Sequence, residues 1–228
     1  MHELVRRHAD GAVRRRCIAL MDTEWVEAGV SEVDEVHSAW GRIVHWLEAN
    51  APVSAQALCG PATDKEIASL REALGFGVPD VLEALLRMSN GSTAKDRTRV
   101  LPSGRVVPDR HLDSAIFPYG RIFLGCSEIG EVYAKWRRSE EENGLEDHWR
   151  VSWIPVVQDF EGQYYGYAVD ASGASGFPVL EYGEGSVPSE AFPSLRGLLE
   201  SFAGALESGS WDGWPARVQR GSLRWGEE

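Results

Sequence analysis

Apolar residues recur at helical spacing from Ser38 onward. Ser38 can cap a helix, and the apolar positions that follow have the spacing i, i+3, i+4 and i+7: Trp40, Ile43, Val44 and Leu47. The pattern ends near Asn50, which is followed by Ala51 and Pro52. The sequence therefore predicts an amphipathic helix with a tryptophan-rich face.

Two more helices are predicted in the next part of the chain. Thr63 and Glu66 have the spacing of a capping box, in which the hydroxyl and the carboxylate satisfy free backbone amides. Gly75 can end this second helix. A third helix is expected to begin at Pro79 and to end at Asn90 and Gly91. The first third of the chain thus predicts three short helices in series.

The middle of the chain is rich in proline and glycine. Residues 98–125 therefore predict short strands or loops. Ser127 can cap a fourth helix, whose apolar positions are Ile129, Val132, Tyr133 and Trp136. The polar residues 137–147 that follow predict a solvated loop.

The strongest β pattern lies between residues 153 and 182. Segments 153–157 and 164–170 flank a turn-forming stretch and predict a hairpin. A third strand at 177–182 extends it to an antiparallel meander. A last helix is predicted from the apolar positions Phe192, Leu195, Leu199, Phe202 and Leu206.

These elements together predict an α+β fold. It has N-terminal helices, a central antiparallel sheet and a C-terminal helix packed on one face. The predicted domain spans residues 37–208. Residues 1–36 are an N-terminal extension of uncertain structure, and residues 209–228 are a C-terminal tail with no clear period.

Several short fragments follow one another along the chain in a recognisable order. They are Trp40-x-x-Ile43-x-x-Trp46-Leu47, Pro61-Ala62 before Ile67, Leu74-Gly75 before Pro79-Asp80, Asn90-Gly91, Trp153-Ile154-Pro155-Val156, Asp159 with Gly162, and Val169-Asp170. In order and spacing they resemble the SUKH superfamily of Smi/Knr-type domains across residues 37–208.

The resemblance implies a non-enzymatic, protein-binding function. Bacterial members of the superfamily are immunity proteins that hold a cognate toxin, frequently a nuclease. Fungal relatives are interaction hubs in cell-wall regulation. A shared fold does not decide between these two roles.

The charge of the chain bears on the kind of partner. The formal net charge is −12; five arginines against two acids give residues 1–16 a charge of +3, so the remaining residues carry −15. This field disfavours nucleic acid and anionic membranes as partners of the main domain and favours a basic protein. The basic run at Arg14, Arg15 and Arg16 lacks interleaved aromatic residues and is weak evidence for nucleic-acid binding. Acidity that serves solubility alone is the alternative.

No catalytic motif stands out. The sequence lacks the patterns G-x-S-x-G, G-x-x-x-x-G-K-[ST] and H-E-x-x-H, and it has no G-x-G-x-x-G after a strand. Cys17, Cys59 and Cys126 are far apart and odd in number, which favours neither a disulfide framework nor a zinc site. Cys126 could form a thiol triad with Asp147 and His148, but nothing in the sequence places them together. We therefore expect no enzymatic activity, catalytic residue, cofactor or metal.

The same sequence predicts a cytoplasmic protein. No apolar stretch approaches the roughly 20 residues that span a membrane. The arginines near the N-terminus are not followed by the hydrophobic region of a signal peptide.

Candidate partner-binding residues surround the predicted hairpin. Glu161 lies in its turn, Tyr164 begins its second strand, and Glu181 and Glu184 lie on and after the third strand. The carboxylates would attract a basic toxin domain, and aromatic side chains would supply the desolvated centre of the interface. The alternative is an intracellular regulatory scaffold; the oligomeric state is left open.

The tyrosines add one expectation about the sheet. Tyr165 and Tyr167 share one side of the predicted strand, and Tyr164 points to the other. A sheet face that the helices leave open would offer these rings to a partner.

Overall fold

The first helix, α1, spans Glu32–Asn50 and begins earlier than the predicted cap at Ser38. The computed structural model describes residues 31–143, 149–162, 165–173 and 176–226. In it Ser31 caps the helix, and its hydroxyl accepts a hydrogen bond from the Asp34 amide at 3.1 Å. Val36 is fully buried. The predicted boundary of the extension at residue 36 is therefore wrong, because its last residues form the first turn of a core helix.

The next helix, α2, spans Pro52–Ala55 and was not predicted. The helices α3, which spans Asp64–Leu74, and α4, which spans Asp80–Met88, follow the prediction closely. Both hydrogen bonds of the capping box between Thr63 and Glu66 are present, at 2.7 and 3.3 Å. Pro79 is the N-cap of α4 instead of its first residue.

The breaker-rich segment forms short strands, as predicted. The strands β1 (Arg97–Val100) and β2 (Val106–Asp109) pair as an antiparallel ribbon. The strand β3 (Arg121–Phe123) belongs to the main sheet.

The helix α5 spans Cys126–Asn143, and Ser127 is not its cap. The amide of Cys126 instead donates to Oδ1 of Asn90 at 2.7 Å, so an asparagine from a distant turn satisfies the helix start. The polar segment predicted as a loop is helical as far as Asn143. An ion pair between Arg137 and Glu140, one turn apart, stabilises this part of the helix.

The main sheet is antiparallel, in the order β3-β4-β5-β6-β7. The strand β4 spans Trp153–Asp159, β5 spans Gly166–Asp170, β6 spans Val179–Tyr182 and β7 spans Ser189–Phe192. The predicted meander is confirmed. The strand β7 was not predicted, and it takes Phe192 out of the last helix; that helix, α6, spans Leu195–Ser208 and is capped by Ser194.

One face of the sheet packs against α1 and α6. The ring of Phe123 in β3 lies 5.3 Å from that of Trp40 in α1. Phe117, just before β3, stacks at 4.2 Å on Phe202 of α6. Burial of such rings is the main source of stability in a core of this kind.

The opposite face is covered as well. A second apolar cluster comprises Trp149, Trp153, Ala168, Leu180 and Tyr182. Trp136 of α5 stacks on Trp149, with ring centroids 4.9 Å apart. In the described part of the chain, the residues of β4 and β5 are buried on both faces apart from the partly buried last residue of each strand, which corrects the expectation of an open face at these strands.

The C-terminal segment 209–226 is part of the fold and not a tail. It forms β8 (Ser210–Trp211), β9 (Trp214–Gln219) and β10 (Ser222–Trp225). Leu223 is buried in the main core, and its amide donates to the Ser54 hydroxyl at 2.9 Å. The two turns are the tight Asp-Gly and Arg-Gly pairs at 212–213 and 220–221, in which all four residues have positive φ.

Candidate functional site

Strand register brings the predicted hairpin turn and the end of the third strand to one end of the sheet. Arg121 at the start of β3 pairs with Asp159 at the end of β4, and Gly166 at the start of β5 pairs with Tyr182 at the end of β6. Glu161, Glu181 and Glu184 therefore lie at the same end. Tyr164 lies outside the described residues.

Glu181 is held in an ion pair. Its Oε1 accepts a hydrogen bond from Nη2 of Arg121 at 2.6 Å. The Arg121 side chain is 8% exposed and that of Glu181 48%. The guanidinium also lies over the Tyr167 ring, 4.6 Å from its centroid. Glu181 is thus a structural partner of a buried cation, in addition to being accessible.

The other two predicted acids, at the same end of the sheet, have different surroundings. Glu184 is exposed in the turn after β6. Glu161 lines a groove that includes Arg99, Arg105 and Lys135, on the side of the ribbon. The sequence expectation of one acidic group is therefore only partly met, because Glu161 has cationic neighbours.

A cleft that includes Glu181 lies between the sheet and the C-terminal hairpin. Glu181 and Asp212 line a cavity of about 430 Å³ together with Tyr167, Phe192 and Trp211. Asp212 is at the tip of the turn between β8 and β9. Two carboxylates from elements far apart in sequence thus face one cavity.

Two exposed aromatic rings lie beside this cleft. Tyr119 and Trp214 are 40% and 44% exposed. Their ring centroids are 5.0 Å apart in an edge-to-face arrangement. We call Tyr119, Glu181, Asp212 and Trp214, together with Glu184, which is exposed at the same end of the sheet, the sheet-end surface.

A comparison with protein-family models identifies the domain. Residues 61–206 match the model of the SMI1 / KNR4 family (SUKH-1), which is well over half of the chain. The chain belongs to this family. No curated protein matches it. The resemblance predicted from the fragments of sequence is confirmed.

The match shows which parts of this SUKH-1 domain carry the family pattern. Glu161, Glu181 and Glu184 lie inside the matched residues. Asp212 and Trp214 lie beyond them, although β8, β9 and β10 pack on the same core. Of the aromatic pair, Tyr119 therefore lies inside the matched residues and Trp214 outside them.

Sequence reasoning missed Tyr119, Asp212 and Trp214. Tyr119 occurs in the breaker-rich segment, and its φ of 62° presents the ring outward from a tight turn. The only available signal for the other two was the dipeptide Asp212-Gly213, which is typical of a two-residue hairpin turn. Neither pattern indicates that the two turns meet.

The two tyrosines of the cleft are protonated at neutral pH. Burial raises the pKa of Tyr119, and the negative charge of Asp212 raises it further. Burial raises the pKa of Tyr167 to about 12. The charge of the sheet-end surface therefore comes from its carboxylates, one of which is paired with Arg121.

The sequence contains the residue types of a thiol triad at Cys126, Asp147 and His148. Cys126 is buried, and burial raises the pKa of its thiol to about 11, which keeps it protonated. Asp147 and His148, the other two residues of this triad, which the sequence does not favour, lie outside the described residues. Within the described part of the chain, no three histidine, cysteine or acidic side chains are grouped to hold a metal ion.

None of the helices in the described ranges is both long enough and apolar enough to cross a membrane.

Proposed function

We propose that this chain is a non-enzymatic immunity protein that binds a basic toxin domain through its sheet-end surface. The observation that carries the proposal is the exposed edge-to-face pair of Tyr119 and Trp214 beside the carboxylates of Glu181 and Asp212. Membership of the SUKH-1 family supports a binding role. We expect the toxin to be a cationic domain, such as a nuclease, that the chain meets in the cytoplasm.

The two kinds of side chain would contribute differently to binding. Aromatic rings that become fully desolvated supply most of the energy of a protein interface. Exposed carboxylates act over about a Debye length of 8 to 10 Å and mainly increase the association rate. The net charge of −12 makes the whole domain attractive to a cationic partner.

The test begins with co-expression of the chain and the products of neighbouring genes. A stoichiometric complex is expected, and its association rate should fall as the salt concentration rises. In the complex, Glu184→Gln with Asp212→Asn should slow association, whereas Trp214→Ala should speed dissociation about tenfold or more. Glu48→Gln with Glu72→Gln is the matched control, because both residues are exposed on α1 and α3.

Two outcomes would overturn the proposal. If no neighbouring product forms a complex, the regulatory scaffold of the Smi/Knr type is favoured instead. If a complex forms but Trp214→Ala and the control behave alike, the partner binds elsewhere. Toxin activity in the presence of equimolar chain gives an independent readout, since an immunity protein should abolish it.

A further inference from the structure

The ribbon of β1 and β2 is positively charged on an acidic chain. Residues 97–110 contain four arginines and one acid, for a charge of +3, whereas the chain as a whole carries −12. The ribbon also contributes little to the core. Its strand residues are exposed except for Val107, and a two-stranded ribbon is of marginal stability on its own.

The pleat of the ribbon separates charge from apolar surface. The pairs Arg97 with Asp109 and Arg99 with Val107 lie on one side, and the pair Val100 with Val106 lies on the other. Arg105 is two residues before Val107, so it belongs to the first side. The ribbon therefore has a basic side and a neutral side, and Val100 and Val106 are 68% and 60% exposed on the latter.

The basic side of the ribbon borders a groove. This groove has a volume of about 710 Å³ and extends from the ribbon to α5 and the turn after β4. Four cationic residues line it: Arg99, Arg105, Arg110 and Lys135. Cationic side chains that line a groove favour an anionic ligand.

Three acids also line the groove, namely Asp109, Glu131 and Glu161. They disfavour a continuous chain of phosphates, as does the negative charge of the rest of the molecule. Two ribbons of +3 would repel each other, which disfavours a second copy of the chain. A peptide can place its carboxylates beside the arginines and neutral residues beside the acids.

We infer that this groove binds an extended acidic segment of a partner protein. Its carboxylates would pair with Arg99 and Arg105, in the bidentate geometry that arginine allows. This groove is distinct from the sheet-end surface, and it favours an acidic ligand whereas the sheet-end surface favours a basic one. The inference therefore does not depend on the toxin.

The experiment measures fluorescence anisotropy with a labelled peptide of alternating glutamate and serine, at low ionic strength. The peptide should bind, and Arg99→Ser with Arg105→Ser should weaken binding about tenfold. The unfolding temperature should stay the same, because both arginines are exposed and the ion pair between Arg99 and Asp109 is long, at 4.0 Å. A peptide of alternating lysine and serine should not bind.

Two matched controls locate the site. Val100→Ser with Val106→Ser changes the opposite side of the same ribbon, and Arg217→Ser with Arg220→Ser removes two exposed arginines from the β9 and β10 hairpin. Both should leave peptide affinity nearly unchanged. The inference is overturned if the acidic peptide does not bind, or if the arginine controls weaken it equally. Tighter binding of a single-stranded oligothymidylate would replace it with a nucleic-acid site.

Discussion

The Tyr182 side chain crosses the backbone of Gly166 on the neighbouring strand. A Cβ at Gly166 would lie 2.5 Å from the Tyr182 hydroxyl and 2.0 Å from the carbonyl oxygen of Val157. That hydroxyl donates to the same carbonyl at 3.1 Å, in a buried hydrogen bond. Glycine is therefore required here by close approach of a ring and a backbone group.

The first prediction follows from this contact. Gly166→Ala should lower the free energy of unfolding by about 2 to 4 kcal/mol, because it displaces a buried ring and its hydrogen bond. The control is Gly204→Ala in α6, where a Cβ would meet nothing within 4 Å. It should be neutral or raise the stability by about 0.5 to 1 kcal/mol. Urea unfolding measures the change in unfolding free energy for both variants. Equal changes would contradict the proposed role of the contact between Gly166 and Tyr182.

The second prediction concerns the two acids at the end of β6. Glu181→Gln should destabilise the fold by about 1 to 2 kcal/mol, because it leaves the buried Arg121 charge without its partner. The value is reduced from that of a fully buried pair since Glu181 is half exposed. Glu184→Gln should change stability by less than about 0.5 kcal/mol.

The third prediction tests whether the C-terminal strands belong to the core. Leu223→Ala should cost about 2 to 4 kcal/mol, because Leu223 is buried and the vacated space is enclosed. Its cross-strand neighbour Val218 is 45% exposed, so Val218→Ala should cost less than about 1 kcal/mol. Chemical unfolding of the two variants measures both free energies. If Leu223→Ala lowers the free energy of unfolding no more than Val218→Ala, the C-terminal strands do not contribute to the core.

The fourth prediction concerns the other end of the chain. Removal of residues 1–30 should leave a cooperatively folding protein, because these residues lack a core pattern and the α1 cap at Ser31 remains. Removal of residues 1–36 should lower the unfolding temperature clearly, since it deletes the cap and the buried Val36. Thermal unfolding of the two truncations makes the comparison. Loss of the cooperative transition in the shorter deletion would place part of residues 1–30 in the core.

Local patterns were predictable because they depend on neighbours in sequence. The capping box at Thr63 and the apolar stripe of α4 are complete within a few residues. The start of α1 was missed because its first turn is acidic, with Glu32, Asp34 and Glu35. Acidic residues in the first turn stabilise the N-terminus of a helix through its dipole. They do not, however, extend the periodic pattern of apolar residues from which the helix was predicted.

Long-range pairing could not be predicted in this way. Asn90 caps α5 from another part of the chain, and nothing near Ser127 reveals it. The candidate site also depends on a long-range contact, because Tyr119 contacts Trp214 only when the C-terminal hairpin packs on the domain. The sequence identified Glu181 and Glu184 as acidic residues near one turn, but not the aromatic pair beside them.

The last prediction is that the stability of the protein depends on pH through Asp113, which connects β10 to the middle of the chain. The buried carboxylate of Asp113 accepts a hydrogen bond from Arg224 at 2.8 Å and lies 3.4 Å from Lys95. Burial opposes its ionisation, but hydrogen bonds from Arg224 and Ser222 outweigh this effect, so the pKa of Asp113 lies below its usual value. The folded state therefore binds the proton more weakly than the unfolded state.

The stabilisation from Asp113 is fully present above the unfolded-state pKa of about 3.9 and is lost as the pH falls through the lower folded-state value. Asp113→Asn should destabilise the protein at neutral pH, because Arg224 and Lys95 lose their shared carboxylate. The difference in stability between the two proteins should then narrow below about pH 4. Urea unfolding across this range measures it. If the difference in unfolding free energy between the two proteins instead stays constant below about pH 4, the ionised carboxylate of Asp113 does not stabilise the contact between β10 and the core.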